Sequence, residues 1–358
     1  KYLFMYFKDF LDDASNAINA KHDFHEKLIE KLVPLKNNEV GNESLVAKMT
    51  KAIPKGIIAG VDSGFVSKKL SFLDLVLVRT VGAIFYFEKG VLQKSDYFPA
   101  AFDFPKPFLL KSGLEKDEES QSISLRRLTE EVGNSISIIK KFNPKYIFVD
   151  GSIVPQYQDK PRTDSKITND YLSIIKLFQL FYETADENGC RIISCVEDSR
   201  GTRFKQLLEE KVLSKTNLPK DLLKDSFDSA LLDYFLIEGE RTFCFPYTKS
   251  IESHAILKDM NQKWSDKVNV FYLKASDLDK PLRVEFISKG NKKEEADEIA
   301  SIVYALSSLH KEYSYPSVLI EADLRASLNE QDISVVYDRL IDKLGPKIRM
   351  RRNSRPCK

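Results

Sequence analysis

The sequence predicts an α/β fold: a mixed β-sheet flanked by helices, with a helical extension at the amino end. Three observations predict it. Apolar runs at Ile57–Val61 and Tyr146–Val149 each climb into an aspartate followed by small residues, Asp62-Ser63-Gly64 and Asp150-Gly151-Ser152. Between them, Ser71–Arg79, Ala83–Glu88 and Val91–Ser95 are β-branched or aromatic, with Gly90 dividing the last two, and read as an antiparallel meander begun by the Asp62 strand. From residue 121 onward, helical periods alternate with strands, the order of an α/β layer with partly parallel pairing.

Taken in order, residues 2–32 carry Phe7, Phe10, Leu11, Ala14, Ala17 and Ile18 at helical spacing. Tyr2, Phe4, Tyr6 and Phe7 exceed what one face needs; core packing is the expectation, a partner subunit the alternative. His22 and His25 stand three apart, which suits a metal on one helix face, but exposed histidines without further ligands are the simpler reading. Residues 34–55, broken by Pro34 and Pro54, predict a connector with one short helix near Ser44–Ala52. After the meander comes a Pro- and Phe-rich loop, Phe98 to Phe108, then an acidic stretch.

Leu125, Leu128, Val132, Ile136 and Ile139 mark the buried stripe of a helix over 121–141. On a helical wheel Glu130 lies nearly opposite that stripe and Glu131 at its edge. Helix 169–187 and strand Arg191–Val196 follow, then a polar loop holding Arg200 and Arg203. Loops at the carboxyl ends of such strands commonly build sites, so both arginines are candidate phosphate ligands. Further helices are expected at 204–213 and 227–237, strands at Arg241–Phe245, Val268–Leu273 and Pro281–Ile287, and helices at Glu294–Tyr313 and Val318–Leu328. The organisation expected is a helical extension over 1–54, a catalytic domain over 55–330, and a helix with a basic tail over 331–358.

Bulk properties exclude little. Lys and Arg total 55 against 53 acidic residues, net +2, so any nucleic-acid surface must be local. Lys347, Arg349, Arg351, Arg352, Arg355 and Lys358 form such a local run, as fitting for a solvated end as for phosphate contact. The four cysteines form no CxxC pair or secreted-type framework, and Cys190 and Cys195 flank a strand as buried thiols. No apolar run approaches the ~18 residues of a membrane span, so a reducing, cytoplasmic setting is expected.

Two strand-end aspartates, Asp62 and Asp150, a helix-borne Glu131 and a late Asp323 are hard oxygen donors. Clustered, they would repel one another unless a divalent cation neutralised them, and Mn²⁺ or Mg²⁺ suits them. With the meander-then-α/β order, the pair of aspartates points to a ribonuclease H-like site for phosphodiester cleavage.

The same residues resemble the NurA nucleases, DNA-end processing enzymes that work with the hexameric HerA translocase. The resemblance runs from about Gly56 to Leu328. It rests on Gly60-Val61-Asp62-Ser63-Gly64, Arg126-Arg127 leading to Glu131, Val149-Asp150-Gly151-Ser152-Ile153, Asp198-Ser199-Arg200, the Asp228–Leu232 helix start, Phe271-Tyr272-Leu273-Lys274 with Arg283-Val284-Glu285, and Tyr315-Pro316. It implies a ribonuclease H-like, Piwi-like core, manganese dependence, a homodimer with a central channel, and activity on single- and double-stranded DNA beside a HerA-type ATPase. It matches Asp62, Glu131, Asp150 and Tyr315 to the family's site, with Arg126, Arg127, Arg200 and Arg203 as DNA contacts. One departure stands out: the family usually has histidine eight residues after the tyrosine, and here Asp323 takes that place. Two other readings compete. A DNA-binding scaffold of a helicase would have lost activity at Asp323. An actin-like ATPase also opens on a strand and Asp-x-Gly, but glycine is sparse and no Gly-rich adenosine motif follows.

Overall fold

The computed structural model describes residues 2–70, 73–216, 223 and 226–345, and of residues 2–6 the backbone alone. The side chains of Tyr2, Phe4 and Tyr6 and the basic run from Lys347 to Lys358 lie outside the described residues.

The elements in chain order are α1 (Tyr2–Leu32), β1 (Glu39–Val40), β2 (Glu43–Ser44), β3 (Val46–Lys48), β4 (Gly56–Lys69), β5 (Asp74–Glu88), β6 (Val91–Phe98) and β7 (Lys106–Leu109). Then come α2 (Lys116–Phe142), β8 (Tyr146–Asp150), α3 (Thr168–Glu187), β9 (Arg191–Val196), α4 (Arg203–Lys211), α5 (Asp228–Phe235), β10 (Glu240–Thr242) and β11 (Phe245–Pro246). The chain closes with α6 (Gln262–Ser265), β12 (Val268–Leu273), β13 (Leu282–Ile287), α7 (Lys292–Ser307), α8 (Ser317–Ala326) and α9 (Glu330–Leu344).

One sheet organises the molecule, in the order β3-β10-β12-β13-β9-β8-β4-β5-β6, with β7 on β5 and β11 on β12. Its β6-β5-β4-β8-β9 half is an antiparallel meander followed by two parallel strands, the ribonuclease H-like order. The period of two decides what each face buries. Ala59, Val61, Ile147 and Val149 pack with α2 and α3 residues such as Ile138 and Phe178. Ile58 and Phe148 pack on the opposite face with Val303 and Val318 of α7 and α8.

Several expectations are corrected. Asp62 does not end its strand: β4 runs on to Lys69, paired throughout with β5, as a ribbon whose residues after Gly64 alternate between half-buried and exposed. The short helix expected near Ser44–Ala52 is replaced by β2 and β3, since Val46–Lys48 finds a partner in β10, far away in sequence. The helix expected over Glu294–Tyr313 stops at Ser307. Among the described side chains of α1, core packing holds at its carboxyl end, where Leu28 and Leu32 join Phe204, Leu231 and Phe235. Phe7, Phe10, Leu11 and Ile18 are exposed.

Gly64 sets how closely α8 approaches the sheet. A Cβ there would lie 2.5 Å from the Ala326 carbonyl oxygen, against backbone that has no rotamer to yield. Gly64→Ala is therefore expected to cost ~1–3 kcal/mol in urea unfolding. Gly133→Ala on α2, where a Cβ meets nothing within 4 Å, is expected to gain ~0.5–1 kcal/mol.

Candidate active site

Strand parity delivers the first two carboxylates. Asp62 lies one residue beyond Val61, which pairs with Val149 across the parallel β4–β8 ladder, so Asp62 and Asp150 stand side by side on the α7/α8 face. Gly151, at φ +75°, takes the left-handed turn that ends β8 at Asp150. Asp323 comes from α8 on that face and is exposed. Glu131 arrives from α2 on the other face, 4% exposed, and accepts a hydrogen bond from Ser63 Oγ at 2.9 Å. The Ser63 backbone N–H donates to Asp62 Oδ1 at 2.6 Å, so one serine links the two faces.

The electrostatics follow from this gathering. Burial, then the charges of Asp150, Glu131 and Asp323, push the Asp62 carboxyl up to about 8 against a single opposing backbone hydrogen bond. Burial pushes Glu131 up to about 7, with Arg127 and the Ser63 hydroxyl opposing and Asp150 adding. Tyr315 is buried and donates to Asp150 Oδ1 and to the Cys195 carbonyl oxygen at 3.0 Å; burial first, then the Asp150 charge, raises its phenol well above the ordinary value.

The adjacent Glu130 behaves differently. It accepts from Lys106 Nζ at 2.6 Å and pairs with Arg126 at 2.8 Å on the outer side of α2. That separates the two glutamates that helical phase alone could only rank. The carboxylates converge electrostatically without closing up. The one group of three ligand atoms within 4.8 Å of one another, among the described residues, is His22, Asp23 and Glu26 on the exposed face of α1.

The NurA domain model matches residues 56–328. The chain belongs to the NurA family. No curated protein matches it in sequence. Its fold is similar to the crystal structure of the NurA nuclease from Sulfolobus solfataricus, with TM-score 0.55, 18% identity, and 94% of this chain and 98% of that one covered. NurA solved with manganese aligns at TM-score 0.49 and 14% identity over 93% and 98% of the two chains. NurA bound to dAMP and manganese aligns at 0.46 and 11% over 92% and 96%.

Within this NurA-family fold the candidate arginines divide. Arg127 acts on Glu131. Arg126 is committed to Glu130 and stacks over Phe108 at 5.7 Å. Arg200 and Arg203 open the way into α4; Arg203 reaches Gln206 at 3.3 Å, and among the described residues no hydrogen bond or ion pair ties either to the carboxylates.

Sequence reasoning missed the residues that hold the site. Glu285, on β13 and almost fully buried, accepts from Arg283 Nε at 2.6 Å, Ser152 Oγ at 2.6 Å and the Ile153 N–H at 3.2 Å. The Ser194 hydroxyl donates to the Gly151 carbonyl, whose own N–H bonds to Cys195 at 3.1 Å. Together these pin the turn that aims Asp150. Arg283-Val284-Glu285 was visible as a motif, but its target is set by pairing across three strands. Glu197, after β9, was also missed; burial and the nearby Asp150 charge raise its carboxyl, while Tyr313 O–H, donating at 2.6 Å, opposes.

The donor set fits a divalent cation. Asp62, Glu131, Asp150 and Asp323 are hard oxygen donors, and no lysine or arginine nitrogen pairs with any of them within 4 Å among the described residues.

Proposed function

We propose that this chain is a divalent-metal-dependent deoxyribonuclease that trims DNA ends for recombinational repair. The observation that carries the reading is the buried Asp62 carboxyl, raised to about 8 among Asp150, Glu131 and Asp323. Asp62 and Asp150 hold the cation, Asp323 completes the set in place of the family's usual histidine, and Glu131 either joins them or orients the attacking water. Tyr315 keeps Asp150 turned toward Asp62 by donating its hydroxyl proton to Oδ1. A bound Mn²⁺ or Mg²⁺ supplies Lewis-acid polarisation of the scissile phosphoryl group and charge for the departing oxygen. The protein's own share is to fix the donors and to bring the phosphate to them.

The finer proposal is 5′–3′ exonuclease action on single- and double-stranded DNA, endonuclease action on single strands, a homodimer, and a HerA-type hexameric ATPase as partner. Support for the nuclease reading is family membership together with the cluster of hard oxygen donors, which suits Mn²⁺ or Mg²⁺. Incubating the protein with Mn²⁺ and end-labelled single- and double-stranded DNA tests it. Shortened products that disappear with chelator are expected. No cleavage of either substrate, alone or with the ATPase, would leave only the scaffold reading.

Metal affinity carries a pH signature. A cation must displace protons from carboxyls raised to about 7 and about 8. Mn²⁺ affinity, measured by calorimetry without DNA, is therefore expected to rise about tenfold or more from pH 6 to pH 8 and then level off, with protons released on binding. Flat affinity over that range would contradict the raised carboxyls.

A further inference from the structure

The Pro- and Phe-rich loop after β6 has no part in the site so far. It spans a gap in the sheet edge. β6 leaves β5 at Gly82, paired with Phe98, and β7 joins β5 only at Val78, paired with Lys106. Arg79, Thr80 and Val81 therefore have no ladder partner on that edge. On their other edge they pair with Gly64, Ser63 and Asp62. The gap thus lies across β5 from the strand that carries the first carboxylate, two strand spacings (~10 Å) away.

A cavity of about 360 Å³ fills this gap, lined by Thr80, Phe98, Phe104, Lys106, Glu130 and Asn134 among others. Thr80 Oγ1 is buried beside it with no hydrogen-bond partner among the described residues. The loop holds two phenylalanines toward solvent, Phe102 at 81% and Phe104 at 64% exposure. Two large apolar rings exposed on one short loop make a local apolar patch, the kind of surface that marks a contact site. The loop is also anchored: Arg79 Nε donates to the Asp103 carbonyl at 2.8 Å and Nη1 to the Ser327 carbonyl at 3.1 Å, tying it to the end of the helix that carries Asp323. Arg325, paired with Glu321, lies over the Phe102 ring at 4.9 Å, and Lys106, paired with Glu130, lines the notch.

We infer that this notch is a binding subsite for the single DNA strand being cut, with bases stacking on Phe102 and Phe104 and the backbone passing Lys106 toward Asp62. This rests on the nuclease reading and adds where the strand lies. Exposed rings beside cationic side chains, next to a carboxylate site, are what a sequence-tolerant single-strand path requires. The unpartnered Thr80 hydroxyl offers a hydrogen bond inside the notch.

The test compares wild type with the double variant Phe102→Ala, Phe104→Ala, using fluorescein-labelled oligo-dT in EDTA at fixed salt, read by anisotropy. Both rings are exposed, so unfolding midpoints should match. Affinity is expected to fall about tenfold or more, and Phe102→Trp with Phe104→Trp should restore it. Cleavage of single strands in Mn²⁺ should fall in parallel at low substrate concentration. Unchanged affinity overturns the subsite. So does a change of oligomeric mass without loss of affinity, which would make the loop a protein contact. If wild type cleaves DNA and the double variant binds and cleaves equally well, only the subsite falls; if wild type neither binds nor cleaves DNA, the nuclease reading falls with it.

Discussion

Asp62→Asn is expected to reduce Mn²⁺-dependent DNA cleavage by at least ~10³-fold while making the metal-free protein more stable at alkaline pH. The first effect follows from losing a charged donor at the centre of the cluster, where several kcal/mol of electrostatic stabilisation are concentrated and each ~1.4 kcal/mol is a factor of ten. The second follows from the sign of the pKa shift. Asp62 stands at about 8 in the fold against an ordinary value of 3.8, so between those limits the folded protein holds a proton that the unfolded chain has released. Stability that is fully present below pH 3.8 is then lost as pH rises through about 8. Asparagine does not titrate, so the variant escapes that loss. Thermal unfolding in chelator should show the variant melting several degrees above wild type at pH 8.5 and no higher at pH 4. A residue that merely packed would lower the melting temperature at both.

Glu131→Gln is expected to lower kcat for cleavage by ~10²-fold or more, and Glu130→Gln, which lines the notch and not the carboxylate cluster, to leave kcat within a few-fold of wild type whatever it does to KM. The two residues are neighbours in sequence and nearly identical in chemistry, so the contrast isolates geometry. Glu131 is buried, reaches Ser63 and shares its field with Asp150. Glu130 spends its charge on Lys106 and Arg126 at the surface, where an ion pair is worth only ~0–1 kcal/mol. Steady-state cleavage of one labelled strand by both variants decides it; equal losses would mean that Glu131 acts through the shape of α2.

The fold was legible where burial imposes a short period. The runs before Asp62 and Asp150, the meander, and helices α2 and α3 all announce themselves by which residues meet the core. What hid was set by partners far along the chain. Val46–Lys48 reads as a connector until β10 supplies its ladder. β4 beyond Asp62 loses its apolar run because one side of the ribbon is half exposed, although its pairing with β5 continues to Lys69. The aromatic residues of α1 look like core because helical spacing does not say whether anything packs against the face; Phe7 and Phe10 meet solvent. At the candidate site, Asp62 and Asp150 could be named from the ends of apolar runs and Glu131 from its helix-edge position. Ser63 and Glu285 could not, because their roles consist of hydrogen bonds to Glu131 and to the Ser152 turn across the fold.

A crystal soaked in Mn²⁺ and measured at the manganese absorption edge puts the proposed metal centre to the question. An anomalous peak is expected between Asp62 and Asp150, within coordination distance of both, and absent from the Asp62→Asn crystal. A peak confined to His22, Asp23 and Glu26 on α1, or no peak at Asp62 under conditions where the enzyme cleaves DNA, would contradict it.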